Sequence, residues 1–266
     1  MAFDRLGDFS RSVGLAVYHL LYDSTLSDFM EKSIINSFWY NDFFSCGSDA
    51  FENGLDIVCL YLYLAGYNGV FIMKINGKYI ISVPEDQISS FKQIINLGYD
   101  LFDERLLCEY LNGKFERYIG PSWIGYFDGK NKHKYAGMAV ILKKTDKRRA
   151  LVLDDLRKRC TDTEWAHSGI CEESEYIAAL FAHDEAVSAA SYELWGDKIA
   201  HIGIITHPSF RNKGYAKDVL WLLTKFIEQR SLIPQYRTLC VNTSAIGVAR
   251  HCGYAEYATH IALRLK

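Results

Sequence analysis

The sequence predicts an α/β protein built in two parts, and three observations carry that prediction. Residues 137–266 alternate, by apolar period, as strand, two helices, three strands, helix, strand, helix and strand. A glycine-bearing turn, Arg211-Asn212-Lys213-Gly214-Tyr215-Ala216, stands between an apolar strand and an amphipathic helix. A short polar, basic stretch from Asp128 to Lys134 interrupts the apolar pattern on both sides. We therefore divide the chain into an α+β part, 1–130, and a second part, 131–266.

The first part opens with an expected helix over Arg11–Lys32, amphipathic through Val13, Val17, Leu20 and Leu21. Phe38, Trp39, Tyr40, Phe43 and Phe44 form an aromatic cluster suited to core packing. Val70–Val83 reads as a hairpin, because Asn76-Gly77 between two apolar runs matches a type I′ turn. Pro84-Glu85-Asp86 supplies proline and acids for a helix start, with Ile88, Phe91 and Ile95 on one face. A further helix is expected over Asp103–Leu111, and a strand over Tyr118–Phe127, kinked at Gly120-Pro121.

In the second part strands are expected at Met138–Leu142, Ile177–Ala182, Ala186–Leu194, Lys198–Thr206, Thr238–Val241 and Tyr257–Leu265. Helices are expected at Leu151–Cys160, Thr163–Ser168, Lys213–Gln229 and Ser244–His251. The long helix has Val219, Leu220, Leu223, Phe226 and Ile227 on one stripe. The basic run Lys143-Lys144 with Lys147-Arg148-Arg149 is read as a solvated turn rather than a nucleic-acid contact, being short and broken by Thr145-Asp146.

A net charge of −2 hides an asymmetry: residues 1–130 hold 10 Lys and Arg against 17 Asp and Glu, whereas 131–266 hold 20 against 15. The basic part is the one with the turn, as an anionic ligand prefers. Seven scattered cysteines without a CxxC pair argue against a disulfide framework or a zinc site, and for a reducing cytoplasm. The Ile57–Met73 run is apolar but too short and interrupted for a membrane span. Signatures of serine hydrolases, phosphate-binding loops, dinucleotide folds and zinc proteases are absent.

The turn itself points to chemistry. Successive N–H groups ahead of a helix, with the positive end of its dipole behind them, make a cradle for a pyrophosphate. Gly214 permits close backbone approach, and Ala216 keeps the first helical turn free of bulk. The pattern Arg-x-x-Gly-x-Ala, His207-Pro208-Ser209-Phe210 ahead of it, and Asn242-Thr243-Ser244-Ala245 followed by Gly253-Tyr254 resemble the Gcn5-related N-acetyltransferases (GNAT) in order and spacing. Leu232–Asn242 is similar to a bacterial subgroup with an extra N-terminal region. The resemblance covers about 137–266, and implies a mixed, mostly antiparallel sheet flanked by helices. The first part is then either a frame for the acceptor cleft or a subunit contact, or a degenerate copy of the same fold.

What the resemblance implies is an acetyl-CoA-dependent transfer to a primary amine by direct attack in a ternary complex, without a metal. Loop amides over Arg211, Asn212, Lys213, Gly214, Tyr215, Ala216 and Lys217 would take the pyrophosphate. Free backbone groups of Ile204, Ile205 and Thr206 would take the pantetheine arm, where a backbone N–H could also stabilise the oxyanion. Asn242 and Ala245 would open the second cofactor-contacting segment. The attacking amine needs a base, for which His201 and Glu193 are the candidates, while His207 is expected to shape the turn. Many relatives place a tyrosine seven residues after the asparagine; here that residue is Ala249, leaving Tyr254 as the nearest replacement acid. The expected acceptor is a small-molecule amine, polyamine- or aminoglycoside-like on the acidity of residues 1–130, with no nucleic acid or membrane partner. A homodimer, a catalytically weak acyl-CoA-binding module and a protein or peptide N-acetyltransferase stay open as alternatives.

Overall fold

The computed structural model describes residues 31–44, 57–60, 68–111, 115–129, 134–183 and 185–266. The helix expected over Arg11–Lys32 lies outside them except for its last two residues, as does most of the basic 128–134 stretch.

The strands are β1 (Ile57–Leu60), β2 (Gly69–Ile75), β3 (Lys78–Val83), β4 (Phe115–Phe127), β5 (Ala139–Lys143), β6 (Tyr176–Ala182), β7 (Glu185–Trp195), β8 (Ile199–Thr206), β9 (Ile233–Leu239) and β10 (Tyr254–Leu265). They form one mixed sheet in the order β1-β3-β2-β10-β4-β9-β8-β7-β6-β5. Pairing is antiparallel except at β1–β3 and β8–β9. Strand β10 lies between β2 and β4, and β4 in turn joins β10 to β9. Residues on both sides of 130/131 thus share the sheet.

Local chemistry explains most element ends. The hairpin turns at Asn76 and Gly77, both at positive φ, the pair a type I′ turn requires. Helix α1 (Ile88–Asn96) follows a single 3₁₀ turn at Glu85–Gln87, and Asp103 caps α2 (Glu104–Tyr110) through the Arg105 and Leu106 amides. Phe91, Ile94 and Leu107 from these helices pack on Val70, Ile72 and Ile261. A helical segment at 31–43 ends in a π-helix, Phe38–Phe43, that buries Trp39 against Tyr126, Ile199 and Ile233.

In the second part, α3 (Lys147–Arg159) and α4 (Asp162–Ser168) follow β5, α5 (Tyr215–Glu228) follows β8, and α6 (Thr243–His251) follows β9. The order is the strand–helix alternation expected from the sequence. Helix α3 sets Val152, Leu153 and Leu156 against Leu142, Ala189 and Ile205. Helix α5 covers the opposite face with Val219, Leu220, Leu223 and Ile227, against Ala190, Ala200, Ile202 and Tyr236.

Four expectations are corrected. Helix α3 begins at Lys147, not Leu151, because the Asp146 side chain accepts from the Arg148 amide and caps it. Arg149 is accordingly no part of a solvated turn: it is buried and donates to the Glu172 and Ser174 carbonyls. Strand β9 begins at Ile233, five residues before the expected Thr238. Pro234, which reads as a turn residue, is the second residue of the strand, a position that tolerates a missing N–H. Strand β10 begins at Tyr254 rather than Tyr257.

Candidate active site

Strands β8 and β9 run parallel and pair only from Ile199–Ile233 to Ile202–Tyr236. Beyond that pair they diverge, and the opening is a cleft of about 980 Å³. Its walls come from the separated strand ends (Ile204 to Thr206, Tyr236 to Thr238), the 210–217 turn, α4 and the first turns of α6. Because β8 lacks a strand partner on this edge past Ile202, its backbone there is available to a ligand.

The turn is built to present amides. His207 opens a 3₁₀ turn at Pro208–Phe210, and its Nδ1 accepts from the Ser209 amide at 3.1 Å. Asn212 and Gly214 both adopt positive φ, of 62° and 90°. The N–H groups of Asn212, Lys213, Gly214, Tyr215 and Ala216 have no acceptor among the described residues. Five consecutive donors therefore meet the positive end of α5, an arrangement suited to a phosphate. An added Cβ at Gly214 would touch nothing within 4 Å, so space stays open on the cleft side.

Arg211 is held from both ends of its guanidinium. Nε donates to the Thr206 carbonyl at 3.2 Å, and Nη1 pairs with Glu164 on α4 at 2.7 Å. Glu164 also completes a capping box with Thr161. The Arg211 hydrogen bond, reinforced by the Thr161 amide, draws the Glu164 carboxyl down to about 2. This pair ties the turn to α4 and keeps Arg211 from reaching freely into the cleft. Lys213 lies 4.8 Å over the Phe210 ring and does not line the cleft. Asn242 Oδ1 accepts from the Ala245 amide and caps α6, leaving its side-chain NH₂ for a ligand.

All but Lys213 of the residues expected to contact the cofactor line this cleft: Ile204, Ile205, Thr206, Arg211, Asn212, Gly214, Tyr215, Ala216, Lys217, Asn242 and Ala245. The residues expected to move protons do not. Tyr254 is buried in the α5–α6 core, with its hydroxyl 2.6 Å from that of Thr224 and its ionisation strongly opposed by burial. Glu193 is exposed on β7 and accepts from Trp195 Nε1 at 3.2 Å. His201 stacks on Trp195 at 4.3 Å between ring centres, and its Nδ1 lies 3.2 Å from Gln235 Oε1. Burial, aided by the Arg237 charge, pushes the His201 imidazole down to about 3. Ala249 is fully buried in the core.

Other cleft residues have no counterpart among the sequence expectations: Thr163, His167 and Ser168 from α4, Tyr236 and Arg237 from β9, and His251 from α6. Placing β9 too late in the sequence left Tyr236 and Arg237 in a connecting segment, marked only by the Leu232–Asn242 resemblance and given no role in the site. The α4 residues reach the cleft because Gly169 packs its backbone directly on Gly203 of β8. An added Cβ at Gly203 would overlap the Gly169 carbonyl.

A mixed sheet with two splayed parallel strands, and a phosphate-suited turn ahead of α5, define an acyltransferase of the coenzyme A-dependent kind. Residues 152–254 match the acetyltransferase (GNAT) family model. Members of the family use acetyl-CoA as cosubstrate. Similar solved structures include a GNAT-family acetyltransferase from Colwellia psychrerythraea, 17% identical over 71% of this chain and 76% of that one, with a TM-score of 0.48. A GCN5-related N-acetyltransferase-like protein from Streptococcus suis is 14% identical over 74% and 84%, with a TM-score of 0.43. The Escherichia coli ribosomal-protein-S18-alanine N-acetyltransferase is 16% identical over 48% and 95%, with a TM-score of 0.35. No curated protein sequence matches the chain. No described helix is long and apolar enough to cross a membrane.

Proposed function

We propose that this protein transfers the acetyl group of acetyl-CoA to a primary amine of a small molecule, by direct attack within a ternary complex. The observation that carries the reading is the run of five unpaired amides, Asn212 to Ala216, at the mouth of the β8–β9 opening. These amides would hold the pyrophosphate. The edge of β8 at Ile204–Thr206 would hold the pantetheine arm, and the Asn242 side-chain NH₂ would meet it from the other wall. Arg211 acts as a positioning residue, since its donors are engaged by Thr206 and Glu164.

In the transfer the amine nitrogen bonds to the acetyl carbon and the carbon–sulfur bond breaks. Coenzyme A leaves as the thiol after taking one proton, and one further proton goes to solvent. The ammonium must lose a proton before it can attack. Glu193 and His201 were the candidates for that step; the described cleft instead carries the imidazoles of His167 and His251, side chains suited to general-base work directly or through a water. A polyamine- or aminoglycoside-like acceptor rested on the acidity of residues 1–130. None of the described residues of that part lines the cleft, and the carboxylate that does among the described residues, Glu164, is paired with Arg211.

Calorimetric titration with acetyl-CoA tests the donor half of this reading. The parent should bind, and Gly214→Glu should lose at least a hundredfold in affinity, because a carboxylate would stand among the phosphate donors. Equal binding by parent and variant would remove the turn from the site.

A further inference from the structure

Arg237 is the first residue of β9 beyond its last pair with β8, so it stands where the two strands part. Tyr236 before it packs into the α5–α6 core, so Arg237 projects to the opposite side of the sheet. It lines the cleft there, with its guanidinium 5.1 Å over the Trp195 ring. No carboxylate, carbonyl or other acceptor meets its donors among the described residues. Glu193, in register with His201 on the neighbouring strand, is engaged by Trp195 Nε1 and forms no ion pair with Arg237.

The surroundings accentuate this unpaired cation. Burial lowers the Arg237 guanidinium from its ordinary value, yet a guanidinium stays charged under any ordinary condition. His201 and His260, the two imidazoles that feel its charge, are both driven down to about 3 and stay neutral beside it. A partly desolvated guanidinium whose donors meet no acceptor is costly to keep. Held over one indole ring with its hydrogen-bond donors unmet, the guanidinium gains most when an anion enters. Arginine offers five donors in a planar fork that matches a carboxylate or a phosphate.

We propose that the acceptor is an amine that also carries an acidic group, a carboxylate or phosphate, and that Arg237 receives that group beside the point of transfer. The proposal rests on the acetyltransferase reading above and names its substrate class. The same cation repels a second ammonium, so polyamines are disfavoured. It also favours the neutral form of the attacking amine, since a positive neighbour lowers an amine's pKa.

The test uses matched acceptors that differ only in the acidic group: glycine and glycinamide, β-alanine and β-alaninamide, O-phosphoethanolamine and ethanolamine, with spermidine as the polycation. Thiol release from acetyl-CoA is followed for the parent, Arg237→Gln and Arg237→Lys. At least one acid should exceed its neutral partner tenfold or more in kcat/KM, and the preferred pair distinguishes carboxylate from phosphate. Arg237→Gln should erase that preference, Arg237→Lys should keep part of it, and both should bind acetyl-CoA within twofold of the parent. The proposal falls if neutral amines or spermidine match the acids, if Arg237→Gln keeps the preference, or if a parent that binds acetyl-CoA turns over none of the acids. Should the parent fail to bind acetyl-CoA, the donor reading fails by itself. Calorimetry of the same pairs then decides this one, with equal affinity for acid and neutral partner, or none for either, overturning it.

Discussion

The 211–216 turn and the inner end of the β8–β9 opening belong to one cleft but are assembled in opposite ways. The turn is contiguous: five amides, two positive-φ residues and the helix behind them all come from one short run of chain. The inner end is lined by Arg237 of β9, and behind it stand Trp195 from β7, His201 from β8, Gln235 from β9 and, from far upstream, Tyr126 and Trp39. The turn is specified by local backbone chemistry. The inner end exists only through strand register, and a one-residue slip of β9 would exchange Arg237 for Tyr236 on that side. One region can therefore be damaged by a local change alone, the other from a distance.

Three substitutions sharpen that contrast beyond the binding tests already described. The largest effect on stability is expected from Gly203→Ala on β8. Its new methyl would overlap the Gly169 carbonyl, backbone against backbone, so α4 or β8 must move. A loss of about 2–3 kcal/mol is expected in urea denaturation, by the overpacking scale. Acetyl-CoA affinity should fall with it, because Glu164 on α4 anchors Arg211. Unchanged affinity in a destabilised protein would show that the turn stands without its α4 support.

Tyr126→Phe comes next. The Tyr126 hydroxyl lies 2.8 Å from Trp39 Nε1 and 2.6 Å from Gln235 Nε2, both buried donors. Removing it leaves two N–H groups unsatisfied, for a loss of about 2 kcal/mol. Because Gln235 also reaches His201, the effect should extend to acceptor KM while acetyl-CoA affinity stays constant. A change in acetyl-CoA affinity instead would break the separation of the two regions.

The smallest effect is expected from Glu164→Gln. The parent carboxyl titrates near 2 in the folded chain, well below its unfolded value of 4.5. Its stabilisation is therefore present above about pH 4.5 and is lost as pH falls from there towards 2. Side chains of the pair are 34% and 42% exposed, so screening by solvent holds the effect to at most about 1 kcal/mol. The variant should melt slightly below the parent at pH 7, and the gap should narrow below about pH 4.5 and close near pH 2. A gap independent of pH would mean that the capping-box geometry, not the charge, matters.

Much of this cleft was legible before any coordinates. Glycine, asparagine and a following amphipathic helix mark a turn whose donors point outward, and six of its seven residues from Arg211 to Lys217 line the opening; Ile204, Ile205, Thr206, Asn242 and Ala245, which also line it, were implied by the family resemblance. Proton-transfer residues were not legible. His201 sits on the right strand, but its burial is set by Trp195 and the β9 register, which no local spacing reveals. Tyr254 reads as a helix-end residue; it opens a strand and packs inward. Arg237 was marked only as part of the Leu232–Asn242 resemblance, without a role, while its strand was placed five residues too late.

By itself, then, the sequence determined the helix and strand order of 137–266, the hairpin at Asn76-Gly77 and the phosphate-suited turn. Each follows from apolar period, capping residues and the backbone freedom of glycine and asparagine within a few neighbours. Only the tertiary structure decided where β8 and β9 stop pairing, and that β4 from the first part stands between β9 and β10. It alone decided which side chains face each other across the opening. Those outcomes depend on pairing between residues 34 positions apart at β8–β9 and more than a hundred apart where β4 meets β9 and β10, whose register is settled by competing burial across the whole sheet.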